Sequence, residues 1–167
     1  MKRKLGIGVV LVLIVIMAYG FVQKEPAVAL GERAVPDQPL TTLAGKDAQL
    51  YDYVGKPTML MFWATWCIPC NEELPQVQSF YEQHGDDIHI LAVNATDTEK
   101  SVDAVRNHVE NKGWTFPIFI DEERQLRQTF GALTVPTTVF LHANGEIAHE
   151  VYGPIDQSYM EDILAEL

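Results

Sequence analysis

The segment at residues 58–63 constrains the fold most, because its six residues, TMLMFW, carry almost no polar surface. It begins directly after a Gly-Lys-Pro break at residues 55–57. A strand that is apolar throughout is buried on both faces, so each face needs a covering layer. The segment therefore predicts the central strand of a sheet with helices on both sides.

The rest of the chain alternates between strand and helix patterns. Short strands are predicted at residues 39–43 and 48–50, which form a hairpin, and further strands at 88–94, 116–120, 137–142 and 147–152. Helices are predicted from Cys67 to residue 84, at 96–112, at 122–130 and at the C-terminus. Thr96 and Glu99 have the spacing of a capping box and are expected to start the second helix. This order predicts an α/β domain with a mixed central sheet.

Charge and cysteine content exclude several classes of protein. The chain has 167 residues, 47% of them hydrophobic, which suits one compact domain. Its 23 acidic residues outnumber 12 basic ones, and three of the basic residues lie within the first four positions. The body is therefore strongly acidic and repels phosphate backbones, which argues against nucleic acid as a partner. Two cysteines are too few for a disulfide-dense secreted scaffold.

Residues 5–22 form an uncharged apolar run of 18 residues that follows Lys2, Arg3 and Lys4. As a helix the run would span roughly 27 Å, close to the ~30 Å hydrocarbon core of a bilayer. Basic residues stay on the cytoplasmic side of a membrane. The run predicts a single-pass anchor over residues 1–22 in the cell membrane, with the rest of the chain on the extracytoplasmic side.

A cleaved signal peptide is the alternative for the same run. Small residues occupy both positions that a signal peptidase reads at residues 18–20 (Ala-Tyr-Gly) and 27–29 (Ala-Val-Ala). The body is exported under either interpretation. Residues 23–38 contain prolines and scattered charges with little periodicity, so they are predicted to be a linker to a domain at 39–167.

The cysteine pair Cys67 and Cys70 lies where the buried strand passes into the first helix. Free amides and the positive dipole end at a helix N-terminus stabilise a thiolate, so Cys67 is the predicted nucleophile. Cys70, one turn further on, is expected to resolve a mixed disulfide. An inert disulfide would close too small a loop to stabilise much. No histidine has zinc-site spacing to the pair, so no metal is expected.

Glu73 follows Cys70 by three residues and so lies one turn along the same helix face. A partly buried carboxylate there would have a raised pKa and could take and return the Cys70 proton. Alternatively, Glu73 is a solvated glutamate favoured by the helix dipole, as Glu72 is expected to be. The spacing alone leaves both interpretations open.

Several motifs together resemble the thioredoxin superfamily and, within it, the membrane-anchored ResA/TlpA-like thiol-disulfide oxidoreductases. They are MFWATWCIPC at residues 61–70, ELP at 73–75, VPTT at 135–138 and Gly153. The resemblance covers residues 38–167 and the anchor. It implies a thioredoxin fold with an N-terminal hairpin and an inserted helix and strand within residues 94–119.

The resemblance also implies roles for individual residues. Pro136 would be a cis proline facing the cysteine pair, which leaves the Val135 backbone free to pair with an extended substrate; the alternative is an ordinary trans proline. Trp66 would shield the disulfide, or else be a packing aromatic. Glu73 would be the carboxylate near the active site. Met61 stands where ordinary thioredoxins have a buried acid, and Glu73 is the expected substitute.

The function implied by the resemblance is reduction of disulfides in exported proteins, with apocytochrome c as a plausible target. A membrane electron donor would recycle the Cys67–Cys70 disulfide, and no cofactor is expected. Two alternatives remain, an oxidant that inserts disulfides and a tethered binding module with idle cysteines. A peroxidase is disfavoured, because Thr65 lies only two residues before Cys67.

Overall fold

The structure, a computed structural model, describes residues 35–167. The predicted anchor at 1–22 and most of the predicted linker at 23–38 lie outside the described residues. Within 35–167, no helix combines the length and apolar character needed to cross a membrane. The last four linker residues lie against the domain: Val35 is buried, and its N–H donates to the Gly145 carbonyl at 3.2 Å.

Seven strands and four α-helices make up the described part of the chain. They are β1 (Pro39–Thr42), β2 (Asp47–Gln49), β3 (Thr58–Trp63), α1 (Ile68–His84), β4 (His89–Asn94), α2 (Val102–Lys112), β5 (Ile118–Ile120), α3 (Gln125–Thr129), β6 (Thr137–Leu141), β7 (Ile147–Tyr152) and α4 (Gln157–Leu164). The strands form one mixed sheet in the order β2-β1-β5-β4-β3-β6-β7. The central strand β3 pairs parallel with β4 and antiparallel with β6.

Alternate side chains of β3 enter two separate apolar clusters, one on each face of the sheet. Met59, Met61 and Trp63 pack with residues of α1, α2 and α4. Leu60 and Phe62 pack on the opposite face with residues of α3 and the short 3₁₀ helix Leu50–Tyr53. Burying each large side chain contributes about 1.5–3 kcal/mol. The expected α/β architecture with covered faces is confirmed.

The helix predicted at residues 96–112 begins later than expected. Residues Thr96–Thr98 form a 3₁₀ turn, and α2 starts at Val102 with Ser101 as its N-cap, whose hydroxyl accepts the Ala104 N–H at 3.1 Å. The predicted capping box of Thr96 and Glu99 is wrong. The Thr96 hydroxyl donates to Asn94 instead, and the Glu99 carboxylate accepts the N–H and the hydroxyl of Thr65, in the loop after β3.

The helix predicted at residues 122–130 is also shorter, since α3 covers only Gln125–Thr129. Arg124, the residue before it, has a φ of 61°, which is not helical. The buried Asp121 carboxylate accepts the N–H groups of Leu126 and Arg127 at 3.2 and 3.1 Å. Asp121 therefore satisfies the first amides of α3, and the intervening residues form a turn instead of helix.

Candidate active site

Cys67 and Cys70 lie between the end of β3 and the first turn of α1, and their sulfurs form a disulfide with an S–S distance of 2.02 Å. Cys67 is the N-cap residue, one position before the first helical turn in which it was predicted. Its sulfur accepts the Cys70 backbone N–H at 3.2 Å. A thiolate formed at Cys67 would face the same amide, which favours the anion.

The two sulfurs differ in access to solvent. Cys67 is 3% exposed, whereas Cys70 is completely buried within the cluster that covers the α1 face of the sheet. A sulfur of a second molecule therefore reaches the pair from the side of Cys67.

Glu73 is buried on α1, with 1% of its surface exposed, and the solvated alternative does not hold for it. Neither carboxylate oxygen has a hydrogen-bond partner among the described residues. Burial raises the pKa of Glu73 to about 8, and the nearby Ile155 backbone amide opposes the rise without reaching hydrogen-bond geometry. Glu72, by contrast, is exposed as expected. Near neutral pH, Glu73 is thus a largely protonated acid one turn beyond Cys70.

The Val135–Pro136 peptide bond is cis, as the resemblance implied. Phe62 at the end of β3 pairs with Thr137, so this loop lies beside the chain that leads to Cys67. The Pro136 carbonyl accepts the Gly153 N–H at 3.0 Å. Within residues 35–167, no hydrogen bond engages the backbone N–H or carbonyl of the half-buried Val135. Both groups are available to an extended segment of another chain.

Trp66 lies on the surface next to Cys67, with 58% of its area exposed. Its indole N–H donates to the Thr98 hydroxyl at 3.1 Å, which holds the ring in place. Ile68 and Leu133 are exposed too, on the helix and on the loop before Val135 respectively. Exposed apolar side chains next to a reactive centre are typical of a surface that contacts another protein.

Glu99 is the site residue that sequence analysis missed. Its Oε1 accepts the Thr65 N–H at 2.6 Å and an Asn94 amide hydrogen at 3.0 Å, while Oε2 accepts the Thr65 hydroxyl at 2.5 Å. Glu99 and Thr65 are separated by 34 residues in sequence, so no local pattern pairs them. The carboxylate fixes the loop two residues before Cys67.

No cluster of three or more histidine, cysteine, aspartate or glutamate side chains within the described part of the chain could hold a metal ion. His84 and His149 instead face Glu161 and Glu166 at 3.8 and 3.3 Å.

A strand that ends in a redox-active CxxC at a helix N-terminus, beside a cis-proline loop, defines the thioredoxin-like class of thiol-disulfide oxidoreductases. A sequence model of the AhpC/TSA family matches residues 31–150, and the chain belongs to this family.

Two relatives of the chain support the same class. The sporulation thiol-disulfide oxidoreductase A of Bacillus subtilis is 32% identical over 157 residues, covering 91% of this chain and 94% of the relative. The thiol-disulfide oxidoreductase ResA of Geobacillus kaustophilus is 35% identical, covering 92% and 89% of the two chains.

Solved structures agree with the fold. The crystal structure of StoA from Bacillus subtilis matches with a TM-score of 0.70 and 31% identity, over 78% of this chain and 97% of that one. An exposed lipoprotein thioredoxin of Streptococcus pneumoniae matches with a TM-score of 0.72 and 29% identity, over 79% and 100%. The chain is thus a thiol-disulfide oxidoreductase of the ResA/StoA type with a thioredoxin-like fold, and the interpretation as a non-catalytic module is set aside.

The raised pKa of Glu73 makes stability depend on pH. The folded protein holds the Glu73 proton up to a pKa of about 8, whereas the ordinary value is 4.5. The free energy of unfolding is therefore fully supported by this group below pH ~4.5. It decreases as the pH rises towards ~8, in total by on the order of a few kcal/mol. We expect urea unfolding of the oxidised protein to show that the free energy of unfolding decreases less between pH 5 and 8 in Glu73→Gln than in the wild type.

The exposed neighbour provides the matched control for this experiment. Glu72→Gln removes the same formal charge and should keep the wild-type slope of stability against pH. Parallel slopes for Glu73→Gln and the wild type would show that Glu73 is ionised throughout this range.

Proposed function

We propose that this oxidoreductase is a membrane-tethered reductant of disulfides in exported proteins. The observation that carries the proposal is the arrangement around the disulfide, in which the Cys67 sulfur accepts an amide at a helix N-terminus and the buried Glu73 lies one turn beyond Cys70. The Cys67 sulfur lies where a thiolate is stabilised, and Glu73 lies one helical turn beyond Cys70 as a group that can exchange a proton with it.

The first step is attack of the reduced Cys67 thiolate on a substrate disulfide. A bond forms between Cys67 Sγ and one substrate sulfur, and the second substrate sulfur leaves as a thiolate that takes a proton from solvent. The helix N-terminus favours the attacking thiolate.

The second step is resolution by Cys70. As Cys70 loses its proton to Glu73, its sulfur attacks Cys67 Sγ and displaces the remaining substrate sulfur, which leaves as a thiolate and takes a proton from solvent. The Cys67–Cys70 disulfide re-forms, and two electrons have passed to the substrate. Glu73 needs to be ionised to accept this proton, and a pKa of about 8 keeps both of its forms accessible near neutral pH.

The substrate segment is proposed to lie in extended form along Val135 and Pro136. The unpaired Val135 backbone groups would bind its main chain, and the exposed rings and aliphatic side chains of Trp66, Ile68 and Leu133 would contact its apolar residues. Apocytochrome c is a fitting substrate, since its paired haem-attachment cysteines form a disulfide when oxidised.

Residues 5–22 support the tether and the extracytoplasmic location. The run is uncharged, long enough to span a bilayer and preceded by three basic residues. On the outer side of the membrane, re-reduction of the pair requires an electron donor, and a membrane-embedded dithiol protein is the proposed one.

Replacement of each cysteine separates the two steps. Cys67→Ser should reduce insulin-disulfide turnover to the uncatalysed rate, because the nucleophile is gone. Cys70→Ser should instead accumulate a mixed disulfide with substrate, visible as a thiol-sensitive band on a non-reducing gel. Retained turnover in Cys67→Ser would remove Cys67 as the nucleophile.

The reduction potential decides the direction of electron flow. Equilibration of the full-length protein with a glutathione series should give a value near that of thioredoxin, about −270 mV. A value near −120 mV, as for a strong oxidant, would contradict the proposed direction and favour disulfide insertion.

The tether is tested by fractionation of cells that express the full chain. The protein should retain residues 1–22, stay with the membrane through a high-salt wash and be digested by protease added to intact spheroplasts. Leu13→Arg should weaken insertion, because a central arginine costs about 2.5–3.5 kcal/mol. Release of a shortened chain would show cleavage instead of anchoring.

A further inference from the structure

Asn71 follows Cys70 directly and holds the backbone of the redox loop. Its amide nitrogen donates to the Thr65 carbonyl at 3.0 Å and to the Cys67 carbonyl at 2.8 Å. The Cys67 carbonyl also accepts the Asn71 backbone N–H at 3.1 Å. One side chain therefore binds the chain on both sides of Trp66.

His108 of α2 completes this contact from outside the motif. Its Nε2 lies 2.8 Å from the Asn71 Oδ1. The carbonyls of Thr65 and Cys67 can only accept hydrogen bonds, so the Asn71 NH₂ group must face them and its oxygen must face His108. The oxygen is also only an acceptor, and consequently Nε2 carries a hydrogen and donates. Only Nδ1 gains or loses a proton, so the donor persists in both protonation states.

Packing holds the imidazole in position. The ring centroid of His108 lies 6.1 Å from that of Trp63, which ends β3, and 5.5 Å from that of Trp114. Burial lowers the pKa of His108, and the nearby Lys112 ammonium lowers it further. The Glu99 carboxylate has the opposite, smaller effect on this pKa. Two aromatic neighbours and a single bonded partner define the orientation of the ring.

Both backbone groups of Thr65 are therefore hydrogen-bonded, each to a side chain from a different part of the fold. Glu99 accepts its N–H at 2.6 Å, and Asn71 donates to its carbonyl. The rotation of the chain between Thr65 and Cys67 determines where the Cys67 sulfur lies relative to the Cys70 amide, at present 3.2 Å away. Hydrogen bonds weaken steeply when their angle departs from linear, so a small rotation changes how well that amide stabilises a thiolate.

We propose that His108 and Asn71 are positioning residues for the oxidoreductase reaction, which set the reactivity of Cys67 by holding its backbone at the N-cap of α1. Through this pair, α2, the helix inserted between β4 and β5, governs the nucleophile without touching the sulfur or the substrate.

The test measures the pKa of Cys67 in the reduced full-length protein by the pH dependence of alkylation with iodoacetamide, with the modified cysteine identified by mass spectrometry. Asn71→Ala should raise this pKa by about half a unit to one unit, which slows alkylation about three- to tenfold at a pH below both values. His108→Phe keeps an aromatic ring between Trp63 and Trp114, removes the donor and should shift the pKa in the same direction by a smaller amount.

Three further variants complete the test. The double variant Asn71→Ala with His108→Phe should match Asn71→Ala alone, because the two residues act in series. His108→Gln retains an amide donor at a similar reach and should restore most of the wild-type rate. Asn107→Ala, at the exposed neighbouring position on α2, should leave the pKa of Cys67 unchanged.

A structural role alone would lower the melting temperature of the variants and leave the pKa of Cys67 at its wild-type value. That result, or equal effects of His108→Phe and Asn107→Ala, would overturn the proposal. If His108→Phe fails to fold, Asn71→Ala decides alone, since it leaves the aromatic packing intact.

Discussion

The burial of β3 on both faces is the constraint on which the rest of the structure depends. Its six residues alternate between the two apolar clusters, so each face of the sheet must be covered before the strand is removed from water. The helices α1, α2 and α4 cover one face and α3 the other. Where β3 ends, the chain leaves the sheet at a defined point and enters α1 after residues 64–67, which places Cys67 at a helix N-terminus.

Opposite electrostatic environments within two turns of one helix divide the chemistry between two groups. The Cys67 sulfur accepts an amide hydrogen at the start of α1, which favours a negative charge. Glu73 is buried further along the same helix and has no hydrogen-bond partner in the described part of the chain, which disfavours a negative charge on its carboxyl group. Cys67 is therefore suited to be the nucleophile and Glu73 the proton-exchanging acid, because the two side chains lie at different depths in the protein.

The errors at residues 96–112 and 122–130 have one cause. Both predictions began a helix at the first residues whose local pattern suited one, and neither took account of a polar side chain that binds elsewhere. In the structure, Glu99 binds Thr65 across 34 residues of sequence, and the Asp121 carboxylate accepts the N–H groups of Leu126 and Arg127 in the first turn of α3. Polar groups in a folded protein bind the strongest partner within reach, and sequence distance does not limit that reach.

The sequence by itself determined the elements, the mixed sheet and the position of the cysteine pair, because hydrophobic period and helix-start chemistry are local properties. It also singled out Glu73, although spacing alone could not distinguish a buried carboxylate from a solvated one. Only the tertiary structure decided that Glu73 is buried, that Glu99 and Asn71 hold Thr65, and that His108 of a distant helix donates to Asn71. Each of these depends on which surfaces meet when the layers pack, because neither the burial of a single polar side chain on a helix nor a long-range hydrogen bond is encoded in neighbouring residues.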